Sequence, residues 1–305
     1  MNKEDAANRI KRAFRQCWEN RAIDRMSDTM RRNADNAKAK HGVSTFEEIY
    51  DFNKTVNFDY YPNLHFNMRT MADDLRKSLG NLTNEESTFA ENFMSQAFYI
   101  VHVSDKNFTE NNSTGDLNLY SRVRLLEKGV EFNNRNSTPD DIKRLGNDDY
   151  VFFSFEVGEE PKKIQSRFGC FFYRVRYTPR NFSLRHSSMV LFDHLSPKQH
   201  LIKGINRTID HLDISVVSKD HLRERRLRRG RSIFSGYENS INGLLYSIIH
   251  DIRELKDEND KKKLLSARSD KEINLIVNGL FRPEVRVPRM IGILRGGYQL
   301  RNFNN

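Results

Sequence analysis

The sequence predicts an α+β protein, because runs rich in Tyr, Val and Phe between residues 98 and 194 form a strand-rich centre with helical segments on both sides. No strand–helix–strand alternation links the runs, so a doubly wound parallel sheet is not expected. The strongest strand is Tyr150 to Glu156, preceded by the turn Gly146-Asn147-Asp148. Side chains alternate along a strand, so Tyr150, Phe152, Ser154 and Glu156 share one face and Val151, Phe153 and Phe155 the other. The second face is apolar throughout. The first carries two aromatic rings, a hydroxyl and a terminal carboxylate, which suits either a flat ligand on Phe152 or an acid that merely exits to solvent.

In chain order, residues 10–26 read as a basic amphipathic helix. Ile10, Phe14, Cys17, Trp18, Ile23 and Met26 lie near one face, and Lys11, Arg12, Arg15, Arg21 and Arg25 lie largely elsewhere. Such a helix docks on its own domain, lies on a membrane surface, or offers Trp18 as an anchor to calmodulin. Residues 31–40 read as linker or exposed helix, which sets a division into residues 1–43 and 44–305. Ser44-Thr45-Phe46-Glu47-Glu48 carries helix-start residues. Helices follow over residues 63–79, ended by Gly80, and 84–96, begun by Thr83-Asn84-Glu85-Glu86. Residues 98–104 turn to strand character, with His102 and Ser104 on one side as a ligand edge or as core. Residues 117–125 fit strand or helix equally. Strands are expected over residues 169–178 and 188–194, helices over 237–255 and 270–281, and a closing segment over 282–290.

The 305 residues carry a net charge of +10, with 30% charged and 37% hydrophobic residues. No apolar run approaches the roughly 18 residues of a transmembrane helix. The segment Met1-Asn2-Lys3-Glu4-Asp5 lacks the apolar core of a cleavable secretory signal. Cys17 and Cys170 stand far apart without a CxxC partner, which argues against a disulfide framework and suits a reducing compartment. Six arginines fall among residues 223–231 with no aromatic between them. A single-strand nucleic-acid groove is therefore not expected, and a solvated helix, a phosphate contact or an acidic partner protein remain.

The Asp-His pairs at 193–194, 210–211 and 220–221 place adjacent side chains apart, and no His-Glu-x-x-His spacing supplements them, so no metal site is expected. The phosphate-loop pattern GxxxxGK[ST], the dinucleotide fingerprint GxGxxG and the Gly-x-Ser-x-Gly elbow are also missing.

The ordered series His102-x-Ser104, Asp141-Ile142, Asn147-x-Asp149-Tyr150-Val151-Phe152-Phe153-x-x-Glu156, Met189 to His194 and Glu284 to Met290 resembles the OspC-type bacterial effectors, which are arginine ADP-riboxanases. The similarity spans about residues 85–291, and Asn147 to Glu156 is its strongest block. The resemblance implies an ADP-ribosyltransferase-like core over residues 44–305 that uses NAD as co-substrate. Such enzymes attach ADP-ribose to an arginine, after which a ribose hydroxyl closes onto the guanidinium carbon and ammonia leaves. By the same resemblance Glu284 is the catalytic candidate at the nicotinamide ribose. Asp141, Glu156 and Asp193 orient and deprotonate the guanidinium. Phe152 holds the cofactor by ring contact, His102 and Ser104 line the cleft, and Glu156 and Arg286 border the dinucleotide.

Taken singly, each of these residues also has a structural reading, such as core packing for His102 and Phe152, a helix cap for Asp141, a turn for Asp193 and a surface pair for Glu284. The family carries a histidine two places after its terminal acid, where this chain has Arg286, a permanent cation that cannot shuttle protons. Ring closure, plain mono-ADP-ribosylation and NAD hydrolysis all stay open. Family members recruit host caspases through C-terminal ankyrin repeats, whereas this sequence stops at Asn305, so a caspase or a different host protein is the expected target. The resemblance also implies export by a type III-like route, action in the host cytoplasm, and calmodulin as activator. The contrasting expectation is a non-enzymatic basic module that binds nucleic acid or an acidic protein.

Overall fold

The computed structural model describes residues 3–41, 64–110, 113–132, 141–191, 207–229 and 233–303. They form an α+β fold. Helix α1 (Lys3–His41) is followed by α2 (Leu64–Leu79), α3 (Asn84–Met94), β1 (Phe98–Ser104), β2 (Leu117–Tyr120) and α4 (Arg122–Glu127). A π-type turn at Asp141–Leu145 leads into β3 (Tyr150–Val157), β4 (Phe171–Arg176), α5 (Phe182–Arg185) and β5 (Ser188–Val190). Then come α6 (Arg207–Asp210), α7 (Val216–Arg229), β6 (Ile233–Ser235), α8 (Tyr237–Arg253), α9 (Glu258–Leu265) and α10 (Asp270–Leu280). The chain closes with β7 (Glu284–Pro288), β8 (Met290–Ile293) and β9 (Tyr298–Asn302).

Seven strands make one antiparallel sheet in the order β6-β5-β7-β3-β1-β4-β9, and β2 pairs with β8 in a second. The long central strand β3 lies between β1 and β7, with Val101 opposite Ser154 and Ser154 opposite Glu284. That register decides which residues share a face. Phe98, Ile100, Phe153, Phe155, Val285, Val287, Met189 and Phe234 leave on the apolar side and are all buried. Helix α10 closes that side, burying Ile273, Ile276 and Val277, and its Asn274 Oδ1 accepts from Val157 N–H at the strand end at 2.9 Å. Helix α8 packs on α2 and β6 beside it.

Caps explain most helix starts. Thr83 and Glu86 form the capping box expected from the sequence before α3, and Ser269 and Glu272 form another before α10. The ambiguous residues 117–125 are both strand and helix. Ser121 takes extended backbone and accepts a hydrogen bond from Arg124 N at 3.1 Å, which ends β2 and starts α4.

Helix α1 lies against β6, β7 and the turn before β3. It buries Ala22, Ile23 and Met26 and inserts the Glu19 carboxylate, which accepts from Ser235 Oγ at 2.5 Å and pairs with His186 Nδ1 at 3.0 Å. Arg25 makes two 2.8 Å bonds to Asp148. The docked stripe is thus the later half of the predicted basic helix, while Ile10 and Phe14 are each 58% exposed. Residues 44–48 lie outside the described residues. No helix among those described is long and apolar enough to cross a membrane.

Candidate active site

The polar side of the sheet gathers the charged side chains of the candidate site. Reading across one row, Glu284 on β7 faces Ser154 on β3, which faces Val101 on β1 and then Arg174 on β4. The neighbouring row towards α1 holds Ser188, Arg286 and Phe152. Glu156 follows Ser154 on the same face, one row further from α1. Residues two apart on adjacent strands lie about 7–8 Å from one another, so Glu284 and Glu156 look onto a common floor.

Their environments differ. Glu284 has a third of its side chain exposed (33%) and accepts a 2.9 Å bond from Arg286 Nε. Arg286 is buried and sits 5.6 Å from the Phe152 ring centre as a cation–π partner. Glu156 is buried, and both oxygens are engaged: Oε2 with Arg174 Nε at 3.1 Å, Oε1 with the backbone N–H of Lys163 at 2.7 Å. Arg174 also donates to the carbonyls of Glu159 at 2.8 Å and Gly158 at 2.5 Å, and lies 3.4 Å over the Tyr99 ring. The pair therefore clamps the segment after β3 onto the sheet. That clamp fixes Lys163, whose ammonium donates to Ser154 Oγ at 3.3 Å beside Glu284. Burial, the neighbouring Arg282 charge and, in the other direction, Glu156 and Glu284 leave the Lys163 pKa below its ordinary value.

The other predicted site residues fall as follows. Phe152 and Arg286 stand on the Glu284 face. His102 and Ser104 alternate with Val101 and Val103 and so leave on the opposite side, with Ile100; the structure does not bring them onto the face of Glu284. The His102 ring meets Phe153 edge-on and its Nδ1–H donates to the Phe152 carbonyl at 2.9 Å. Ser104 Oγ accepts from Lys106 N at 3.0 Å, closing the turn after β1. Asp141 begins the π-type turn, but its side chain lies outside the described residues, as do Asp193 and His194. The side chains of residues 223–229 in the arginine-rich helix lie outside them too. The Asp148 and Asp149 carboxylates of the acidic motif are structural: Asp148 holds Arg25 of α1, and Asp149 accepts from Ser121 Oγ at 2.6 Å.

Burial lowers the His102 pKa below 6.5, with the bond to Phe152 opposing and the Lys163 charge assisting. A group depressed in the folded state contributes stability that is full above pH 6.5 and is lost as pH falls through the folded value. Denaturant titrations should therefore show wild type losing more stability between pH 8 and pH 5 than His102→Asn, which keeps an amide donor but cannot titrate. Parallel losses would remove this account of His102.

Lys163 and Arg174 are positions of this candidate site that the sequence does not single out. Lys163 lies in a loop without motif. Arg174 did leave a signal, since an arginine inside Tyr173-Arg174-Val175 needs a buried acid, and Glu156 ends the one strand that offers it.

No protein-family model matches the chain. A curated protein, arginine ADP-riboxanase OspC1 of Shigella flexneri, is 24% identical over 230 residues, which covers 72% of this chain and 46% of that protein. The chain thus spans about half the length of this relative, and the two are distantly related.

Proposed function

We propose that this chain transfers ADP-ribose from NAD to an arginine side chain, with Glu284 at the reacting ribose. The observation that carries the reading is a partly exposed carboxylate on a central strand, oriented by a buried guanidinium and flanked by an aromatic ring and a hydroxyl. The relative's name, an arginine ADP-riboxanase, supports the acceptor and the class of reaction.

In this mechanism the bond between the ribose C1′ and the nicotinamide nitrogen breaks, its electrons leave with nicotinamide, and positive charge develops on the ribose. The Glu284 carboxylate stabilises that charge, and Arg286 holds it in place without competing for a proton. A guanidinium nitrogen of the acceptor bonds to C1′ and gives up one proton, for which Asp141 and Asp193 are the proposed bases. Glu156, named with them on sequence grounds, acts here by holding Arg174 and the Lys163 backbone. For the ring-closed product a ribose hydroxyl then bonds to the guanidinium carbon and ammonia departs. The reading extends, from the resemblance, to a catalytic unit over residues 44–305. The same grounds suggest a secreted effector that modifies a host protein, a caspase or another, in the host cytoplasm with calmodulin as activator.

Mass spectrometry of agmatine or host lysate incubated with the protein and NAD, with and without calmodulin, tests the reading. It predicts an arginine adduct, with the cyclised form lighter by the mass of ammonia. Salt-sensitive nucleic-acid binding with no adduct under any condition would favour the basic-module alternative.

A further inference from the structure

The same face continues past Glu284 towards the sheet edge, and two features there have no role in the chemistry above. The first is Lys163. Its ammonium has three donors, and among the described residues its hydrogen bond goes to the neutral Ser154 hydroxyl. The nearby carboxylates are already engaged, Glu156 by Arg174 and Glu284 by Arg286. Arg282 acts on Lys163 as a further positive charge, and Glu156 and Glu284 act on it as negative ones. An ammonium with donors to spare at a partly covered site can take an anion.

The second is a depression of about 510 Å³ lined by Ile164, Gln165, Ser166, Cys170, Phe172 and Phe303, among others. Phe172 and Phe303 meet edge-on, 4.8 Å between ring centres. Ile164 is 65% exposed and Phe303 41% exposed, so the depression presents apolar groups to solvent. Phe172 points to the same side of the sheet as Ser154 and Glu284, because Val103 faces Phe172 as Val101 faces Arg174. From β7 across β3 and β1 to β4 is three strand spacings, about 14 Å. Lys163 stands over β3, between the two.

We infer that the dinucleotide lies across these four strands, with its diphosphate on Lys163 and its adenine in the depression between Ile164, Phe172 and Phe303. The inference rests on the proposed use of NAD at Glu284 and adds the orientation of the bound molecule. Cys170 then serves as a reporter, since it lines the depression and is a free thiol.

The test is alkylation of Cys170 by N-ethylmaleimide in Cys17→Ser protein, alone and with NAD, ADP-ribose, AMP or nicotinamide, alongside calorimetric NAD binding. NAD, ADP-ribose and AMP should each slow labelling at least tenfold at saturation, and nicotinamide should not. Lys163→Met should raise the ADP-ribose concentration needed for protection at least tenfold, with Lys163→Arg close to wild type and both variants melting as wild type does. NAD binding with unchanged Cys170 labelling, or equal protection in Lys163→Met, overturns the inference and leaves the reading of Glu284 standing. Absence of both NAD binding and nicotinamide release overturns that reading and the inference with it.

Discussion

Arg174→Met should destabilise the protein by about 3–5 kcal/mol, the usual cost of removing one partner from a buried ion pair. Arg174 and Glu156 side chains are only 3% and 5% exposed, so the substitution leaves a buried carboxylate without its ion-pair partner. It also strips the carbonyls of Gly158 and Glu159 of their donor and removes the cation from the Tyr99 ring. Replacing both partners, as Glu156→Gln with Arg174→Met, should recover part of the loss, because no charge then remains buried. Urea denaturation measures both. A single-variant loss below about 1 kcal/mol would show that water reaches Glu156 and that the clamp is not what holds the loop.

That clamp shows where sequence reasoning reached and where it stopped. Alternation along Tyr150 to Glu156 correctly assigned both faces of β3, because a period of two survives any tertiary context. The capping box before α3 was legible for a similarly local reason. His102 was not. A His-x-Ser pair fixes which two side chains lie together, but not which face of the sheet they join, and that depends on the register of β1 against β3. The resemblance gave Glu156 a role at the guanidinium, and nothing in a strand-end acid shows its partner, eighteen residues on, until that partner is folded against it. Lys163 belongs to a loop held by that pair and by the Lys162–Asp270 ion pair, neither of which a local pattern shows. The short strands β6, β8 and β9 gave too few residues to show a period.

The second large effect concerns Glu284. Gln at this position keeps the size and an acceptor oxygen for Arg286 Nε but removes the negative charge that faces the ribose. Loss of a group whose contribution is made in the transition state lowers turnover and leaves binding nearly intact. For preorganised electrostatic groups the cost is about 10²–10³-fold. The variant takes the counter-charge from the buried Arg286 guanidinium, so thermal melting checks that its fold is kept.

The most direct measurement is nicotinamide release from NAD by wild type and Glu284→Gln, with agmatine as acceptor and with calmodulin present or absent. The account predicts release by wild type and a fall of about 10²–10³-fold in the variant, with NAD affinity changed by no more than a few-fold. Undiminished release by Glu284→Gln, or none from wild type under any of these conditions, would contradict it.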